Sequence, residues 1–176
     1  MKYITGITFF ILTLAACSTP ETFSEEQVEV VETETSTPSW YSANRVSGSD
    51  ESHFMGYSMT TAVDSVEAIE SGKESALANL RFEIDKYTEE VREGLLSDAS
   101  NTPLRSPTFI IELRNAIQEL ELSKTEFERE FGEREDTIIQ VYTRVSASRS
   151  DIIEDLSSLL SEESFIRAIR AEEMEP

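Results

Sequence analysis

The chain has 176 residues, about the length of one ordinary domain, and carries 35 acidic against 15 basic residues for a net charge of −20. A field of that sign repels phosphate backbones and argues against unassisted nucleic-acid binding. One His and one Cys exclude an all-Cys/His zinc site, an intrachain disulfide and a His-rich metal cluster.

Lys2 gives a short positive start, and residues 3–16 (YITGITFFILTLAA) are apolar, small or hydroxyl-bearing. A membrane-spanning helix needs about 20 apolar residues, so this shorter run reads as the core of a secretory signal peptide. It ends in Leu14, Ala15, Ala16 and Cys17: an apolar residue, two small ones and the only cysteine. That is the lipobox pattern, and the chain here resembles a bacterial lipoprotein precursor. The resemblance implies cleavage before Cys17 by signal peptidase II, then acyl chains on its thiol and new α-amino group; two or three such chains hold a protein stably at a bilayer. Small residues let the extended chain enter a protease site, and a thiol is the nucleophile that accepts a diacylglyceryl group. The plainer alternative is an ordinary signal peptide followed by an incidental cysteine. In a Gram-negative host, Ser18 in place of Asp after the cysteine implies the outer membrane, on either its periplasmic or its outer face.

Residues 18–38 hold six glutamates and no basic residue. Like charge and poor hydrophobicity do not offset ordering entropy, so an extended, flexible tether is expected. Val28, Val30 and Val31 are the exception, with the alternation of a short strand or docking motif. Composition changes past Pro38, where Trp40 and Tyr41 mark the start of a folded domain. The organisation is therefore a signal peptide over 1–16, a lipidated Cys17 and acidic tether over 17–38, and a domain over 39–176. Trp40 is expected to plug the domain core.

A short strand is expected over 53–60, with Gly56 permitting close approach. Residues 64–96 read as a long helix, since Val66, Ile69, Leu77, Leu80, Ile84, Tyr87, Val91 and Leu95 recur at three- and four-residue steps. Ala68, Gly72 and Ala76 form a small-residue stripe where the helix presses on a sheet. At roughly 50 Å the helix exceeds what a small sheet covers. Either it bends and later helices cover the excess, or another copy or partner does. Residues 97–107 read as a loop. Ser106 and Pro107 supply an N-cap and first-turn proline for a second helix to about Leu120, with Ile110, Leu113, Ile117 and Leu120 buried. A hairpin follows. Thr125, Phe127, Arg129 and Phe131 alternate with Lys124 and three glutamates, residues 132–136 turn, and Ile139, Val141, Thr143 and Val145 alternate on the return strand. The glutamates keep an exposed edge soluble. A last helical region starts near Ser148 or Ser150 and breaks near Ser161, before Phe165, Ile166 and Ile169. The order spells an α+β domain: a small antiparallel sheet packed on one face by a long helix and two further helices.

This order resembles the LPP-twenty lipoprotein family, which includes FlgP-like flagellar lipoproteins. The matching features are Pro38-Ser39-Trp40, a strand with central Gly56, the helix series Ala68, Gly72, Ala76, Leu80, Ile84, and a following strand pair, together spanning about residues 38–146. Ile69 stands where the family often has a basic residue, Gly72 replaces a more usual Ala, and residues 97–120 and the tether are peculiar to this chain. The resemblance implies a small, non-enzymatic, outer-membrane lipoprotein. Some members are linked to flagellar outer-membrane structures and assemble as rings. Expected partners are therefore the membrane through Cys17, envelope proteins, and further copies of the chain.

Chemical readings are weaker. His53 is the only imidazole, so any Ser-His-Asp arrangement requires it; beside Asp50 and Glu51 it reads as a solvated strand-edge residue. The carboxylate groups Glu89 with Glu90, Glu133 with Glu135 and Asp136, and Glu162 with Glu163 read as solvated surface. Residues 47–52 lack the spaced acids of a calcium loop. Gly72-Lys73-Glu74-Ser75 sits mid-helix with Glu67 at the upstream glycine position, so it is no phosphate loop. No catalytic, cofactor or metal residue is assigned, and an enzyme is not expected. Two function classes stand: a structural or assembly lipoprotein of the envelope, and a binding module or chaperone-like lipoprotein that captures an extended peptide or cationic ligand by strand addition.

Overall fold

The structure, a computed structural model, describes residues 37–97, 99–132 and 137–173. These fall within one compact unit, Thr33–Pro176. The other unit, Met1–Glu32, lies outside the described residues, and with it the signal run, the lipobox residues Leu14, Ala15, Ala16 and Cys17, and the three valines. The rest of the tether up to residue 36 and the turn residues 133–136 are likewise outside.

Among the described residues, β1 (Ser47–Ser49), β2 (His53–Ala62), β3 (Glu126–Phe131) and β4 (Ile139–Ser148) form one antiparallel sheet in the order β1-β2-β4-β3. Four helices accompany it: α1 (Ser65–Leu95), α2 (Pro107–Glu119), α3 (Arg149–Leu159) and α4 (Glu163–Glu173). The class is α+β. β2 and β4 pair along their full ten-residue lengths, from His53 opposite Ser148 to Ala62 opposite Ile139. Because strand side chains alternate, Phe54, Gly56 and Ser58 share one face with Val141, Thr143, Val145 and Ala147, all buried beneath α1.

The start of α1 is set by Asp64, whose carboxylate accepts from the Val66 and Glu67 amides at 2.8 and 3.1 Å. Ala68, Gly72, Ala76, Leu80 and Ile84 then lie one turn apart along the buried stripe. The small residues let the helix backbone reach the strands. Ser58 Oγ donates to the Gly72 carbonyl at 2.7 Å, Thr60 Oγ1 to the Ala68 carbonyl at 2.8 Å, and Asn79 Nδ2 to the Tyr57 carbonyl at 2.7 Å. A Cβ on Gly72 would meet Thr143 Oγ1 at 2.7 Å, which accounts for glycine inside a helix. Val66, expected on the apolar side, is exposed, because it lies on the far side of α1 from the Ala68–Gly72 contact.

The C-terminal half of α1 overshoots the sheet, and the chain's own later segments cover it. α2 and α4 pack there with Phe109 against Phe165, ring centroids 5.3 Å apart, and Leu104 is fully buried. Leu104 belongs to a 3-10 stretch, Ala99–Arg105, inside the expected loop. Ser106 caps α2 by accepting from the Phe109 amide at 3.1 Å, and Pro107 opens it. Phe109 and Ala116 join Leu113, Ile117 and Leu120 in the core, while Ile110, expected there, is half-buried. The last helical region is two helices: α3 ends at Leu159, and α4 buries Phe165 and Ile169.

Candidate docking surface

The sheet face opposite α1 is built from the other side chains of β2 and β4, notably Tyr57 and Tyr142. The segment entering the domain folds onto them. Trp40 stacks on Tyr57 (centroids 6.3 Å apart, planes at 24°), and Tyr41 packs on Tyr142 at 4.7 Å. Guanidinium groups close both ends: Arg45 lies 4.6 Å from the Tyr57 ring centre and Arg144 lies 5.4 Å from that of Trp40. Trp40 Nε1 donates to Glu130 at 3.0 Å, and Arg144 pairs with Glu128. Burial, and then the neighbouring Tyr142, raises the pKa of the Tyr41 phenol. Trp40 is thus not a core plug. It is half-buried on the outer face of the sheet, away from the apolar core under α1.

Among the described residues, β3 is the outer strand on that side, paired only with β4. Phe127, Arg129 and Phe131 stand opposite Val145, Thr143 and Val141, and so share the α1 side; Lys73 Nζ of α1 lies 5.6 Å from the Phe127 ring centre. Both phenylalanines remain open to solvent, at 37% and 46% exposure. Glu126, Glu128 and Glu130 occupy the opposite face with Trp40 and Arg144. The Gly132 amide donates to the Gln140 carbonyl at 2.8 Å, one step past Phe131 opposite Val141. Antiparallel bonding alternates along a strand, so Glu126, Glu128 and Glu130 turn their main-chain groups toward β4. The N–H and C=O groups of Phe127, Arg129 and Phe131 therefore face outward along an edge that no other strand among the described residues covers.

The residues weighed for chemistry are held apart or committed elsewhere. His53 opens β2 with Nδ1 3.7 Å from Asp50 Oδ1. The Asp50 carboxylate accepts from the Ser52 and His53 amides at 2.8 and 2.7 Å, and these bonds, Ser52 first, hold its pKa below the usual carboxylate range. Ser148, across the ladder from His53, caps α3 through Asp151 N–H. Glu89 and Glu90 go to different cations, Arg92 and Lys86. Glu162 accepts from Ser164 at 2.9 Å, and Glu163 opens α4. Ser47 and Ser49, weighed as part of a calcium loop, donate instead to the buried Glu83 at 2.8 and 3.1 Å. An open cleft of about 300 Å³ between α1 and α2 sets Arg81 and Arg114 beside Asp85 and Phe82, without a hydroxyl or imidazole in its lining. Among the described residues, no group of three His, Cys, Asp or Glu side chains is placed to hold a metal ion.

Sequence reasoning missed β1 and the aromatic ladder. The signal for the ladder was present: Tyr57 and Tyr142 fall at outward strand positions, where a solvated face carries small polar residues. Compared with protein-family models, with curated proteins and with solved structures, the chain matches none.

Proposed function

We propose that the chain is a lipid-anchored lipoprotein of the bacterial outer membrane, of the LPP-twenty kind, with a structural or assembly role in the cell envelope. Its anchor is acylated Cys17, read from the lipobox Leu14-Ala15-Ala16-Cys17. Its domain is non-catalytic and works by docking other polypeptides, with a flagellum-associated complex as the family's precedent. The observation that carries the docking half is the free edge of β3, whose outward main-chain groups lie beside two exposed phenylalanines. A second reading, a binding module or chaperone-like lipoprotein that holds its ligand transiently, draws on the glutamate row of the same strand.

Crosslinking in intact cells, followed by detergent pull-down of the tagged chain, tests both, with a Cys17→Ser strain as control. Recovery of a large envelope assembly from wild type but not from the control is the expected result. Recovery of monomer with assorted periplasmic proteins would favour the second reading. Identical fractionation of the two strains would remove the lipid anchor from the account.

A further inference from the structure

The register of β3 also limits what can dock there. An antiparallel neighbour places each of its residues directly opposite one of β3, on the same face. If β3 of a second copy added in that way, glutamates would stand opposite glutamates in every face-matched register, because Glu126, Glu128 and Glu130 share one face. Like charges directly opposite destabilise a strand pair. The edge is thus built against its own copy in antiparallel pairing. On the glutamate face, Arg144 pairs with Glu128, while Glu126 and Glu130 have no ion pair among the described residues. On the other face, Phe127 and Phe131 flank Arg129.

We propose that the β3 edge takes up an extended segment of a basic partner protein, added antiparallel. Basic side chains stand opposite Glu126, Glu128 and Glu130, apolar ones opposite Phe127 and Phe131, and an acidic or small polar one opposite Arg129. The outward N–H and C=O groups of Phe127, Arg129 and Phe131 supply the main-chain bonds. Read from the partner's N-terminus, the complementary pattern is apolar, basic, acidic, basic, apolar, basic. The inference rests on the reading of the domain as a polypeptide-docking module, and it names the partner's chemistry.

The test is fluorescence anisotropy of a labelled peptide containing Val-Lys-Glu-Lys-Val-Lys, titrated with the full-length chain in detergent. The control peptide has every charge reversed. Saturable binding of the first peptide alone, weakening as salt rises, is expected. Arg129→Pro removes an outward N–H without removing a bond to β4, and should weaken binding about tenfold. Glu126→Lys, at a side chain without an ion pair among the described residues, should weaken it about threefold. Fluorescence of Trp40 reports whether each variant keeps its fold; if Arg129→Pro does not, Glu126→Lys and the reversed peptide decide. Equal binding of the two peptides, or no effect of Glu126→Lys, overturns the proposal. Concentration-dependent self-association abolished by Arg129→Pro also overturns it, by giving the edge to a second copy. If cells yield an envelope complex crosslinked through β3 while the basic peptide fails to bind, the docking reading stands and the partner chemistry falls.

Discussion

A Cβ placed on Gly56 would stand 2.0 Å from the carbonyl oxygen of Ala76 and 2.4 Å from the amide of Leu80. Both atoms belong to the α1 backbone and neither is free to swing aside. Gly56→Ala must therefore lift the helix from the sheet along its buried stripe. The expected loss is at least about 3 kcal/mol, read as a fall in the urea midpoint. A loss below about 1 kcal/mol would mean that the helix–strand contact is looser than described.

Thr143 makes the opposite case. Its hydroxyl is buried against Gly72 and has no hydrogen-bond partner among the described residues. Thr143→Val keeps the β-branched shape and removes the unsatisfied oxygen. It should stabilise the fold by about 1 kcal/mol, measured by the same denaturation. Destabilisation instead would reveal a bond from Thr143 Oγ1 in solution.

Trp40 is the only tryptophan, so intrinsic fluorescence reports directly on the outer face of the sheet. Tyr57→Leu removes the ring on which Trp40 stacks and Arg45 rests. The expected changes are a red shift of the Trp40 emission and a cost of about 1–2 kcal/mol. An unshifted spectrum would show that Trp40 keeps its burial without the stack.

The Arg92 guanidinium is buried, donates to Glu89 through Nε at 2.8 Å, and also reaches the Leu104 carbonyl at 3.1 Å. The hydrogen bond from Arg92 to Glu89, followed by the positive charges of Arg92 and Arg114, lowers the pKa of Glu89 from its ordinary 4.5. A carboxylate with a lowered folded pKa adds stability that is fully present above the ordinary value and lost as pH falls through the lowered one. The stability gap between wild type and Glu89→Gln should therefore be widest near neutrality and close progressively below pH 4.5. A gap that is flat from neutrality to about pH 3 would assign the effect to shape rather than charge.

The long elements were legible because their signals are local. Asp64 and Ser106-Pro107 mark helix starts by capping chemistry that acts within three residues. The break before Phe165 was likewise visible in the spacing of apolar residues. β1 was not, because Ser47-Gly48-Ser49 has no strand pattern of its own. It is held by β2 and by Glu83, 34 to 36 residues away. Leu104 was hidden in a polar stretch containing Pro103, and its burial follows from the path of α2. The free edge was half-readable. The glutamate alternation of β3 was plain, but its place at the margin of the sheet depends on β2 pairing with β4.

The order in which the chain meets the fold also governs how the domain responds to pulling. A load arriving along the chain from upstream of Thr37 reaches the Thr37–Tyr142 hydroxyl contact at 3.4 Å first, then the Trp40–Tyr57 stack, then the three-residue β1. Those contacts engage in series and give way one after another, as a peeled strip does. The ten-pair β2–β4 ladder, covered by α1, lies behind them. The entry segment thus acts as a mechanical fuse: under such a load it gives way before the sheet beneath α1 does.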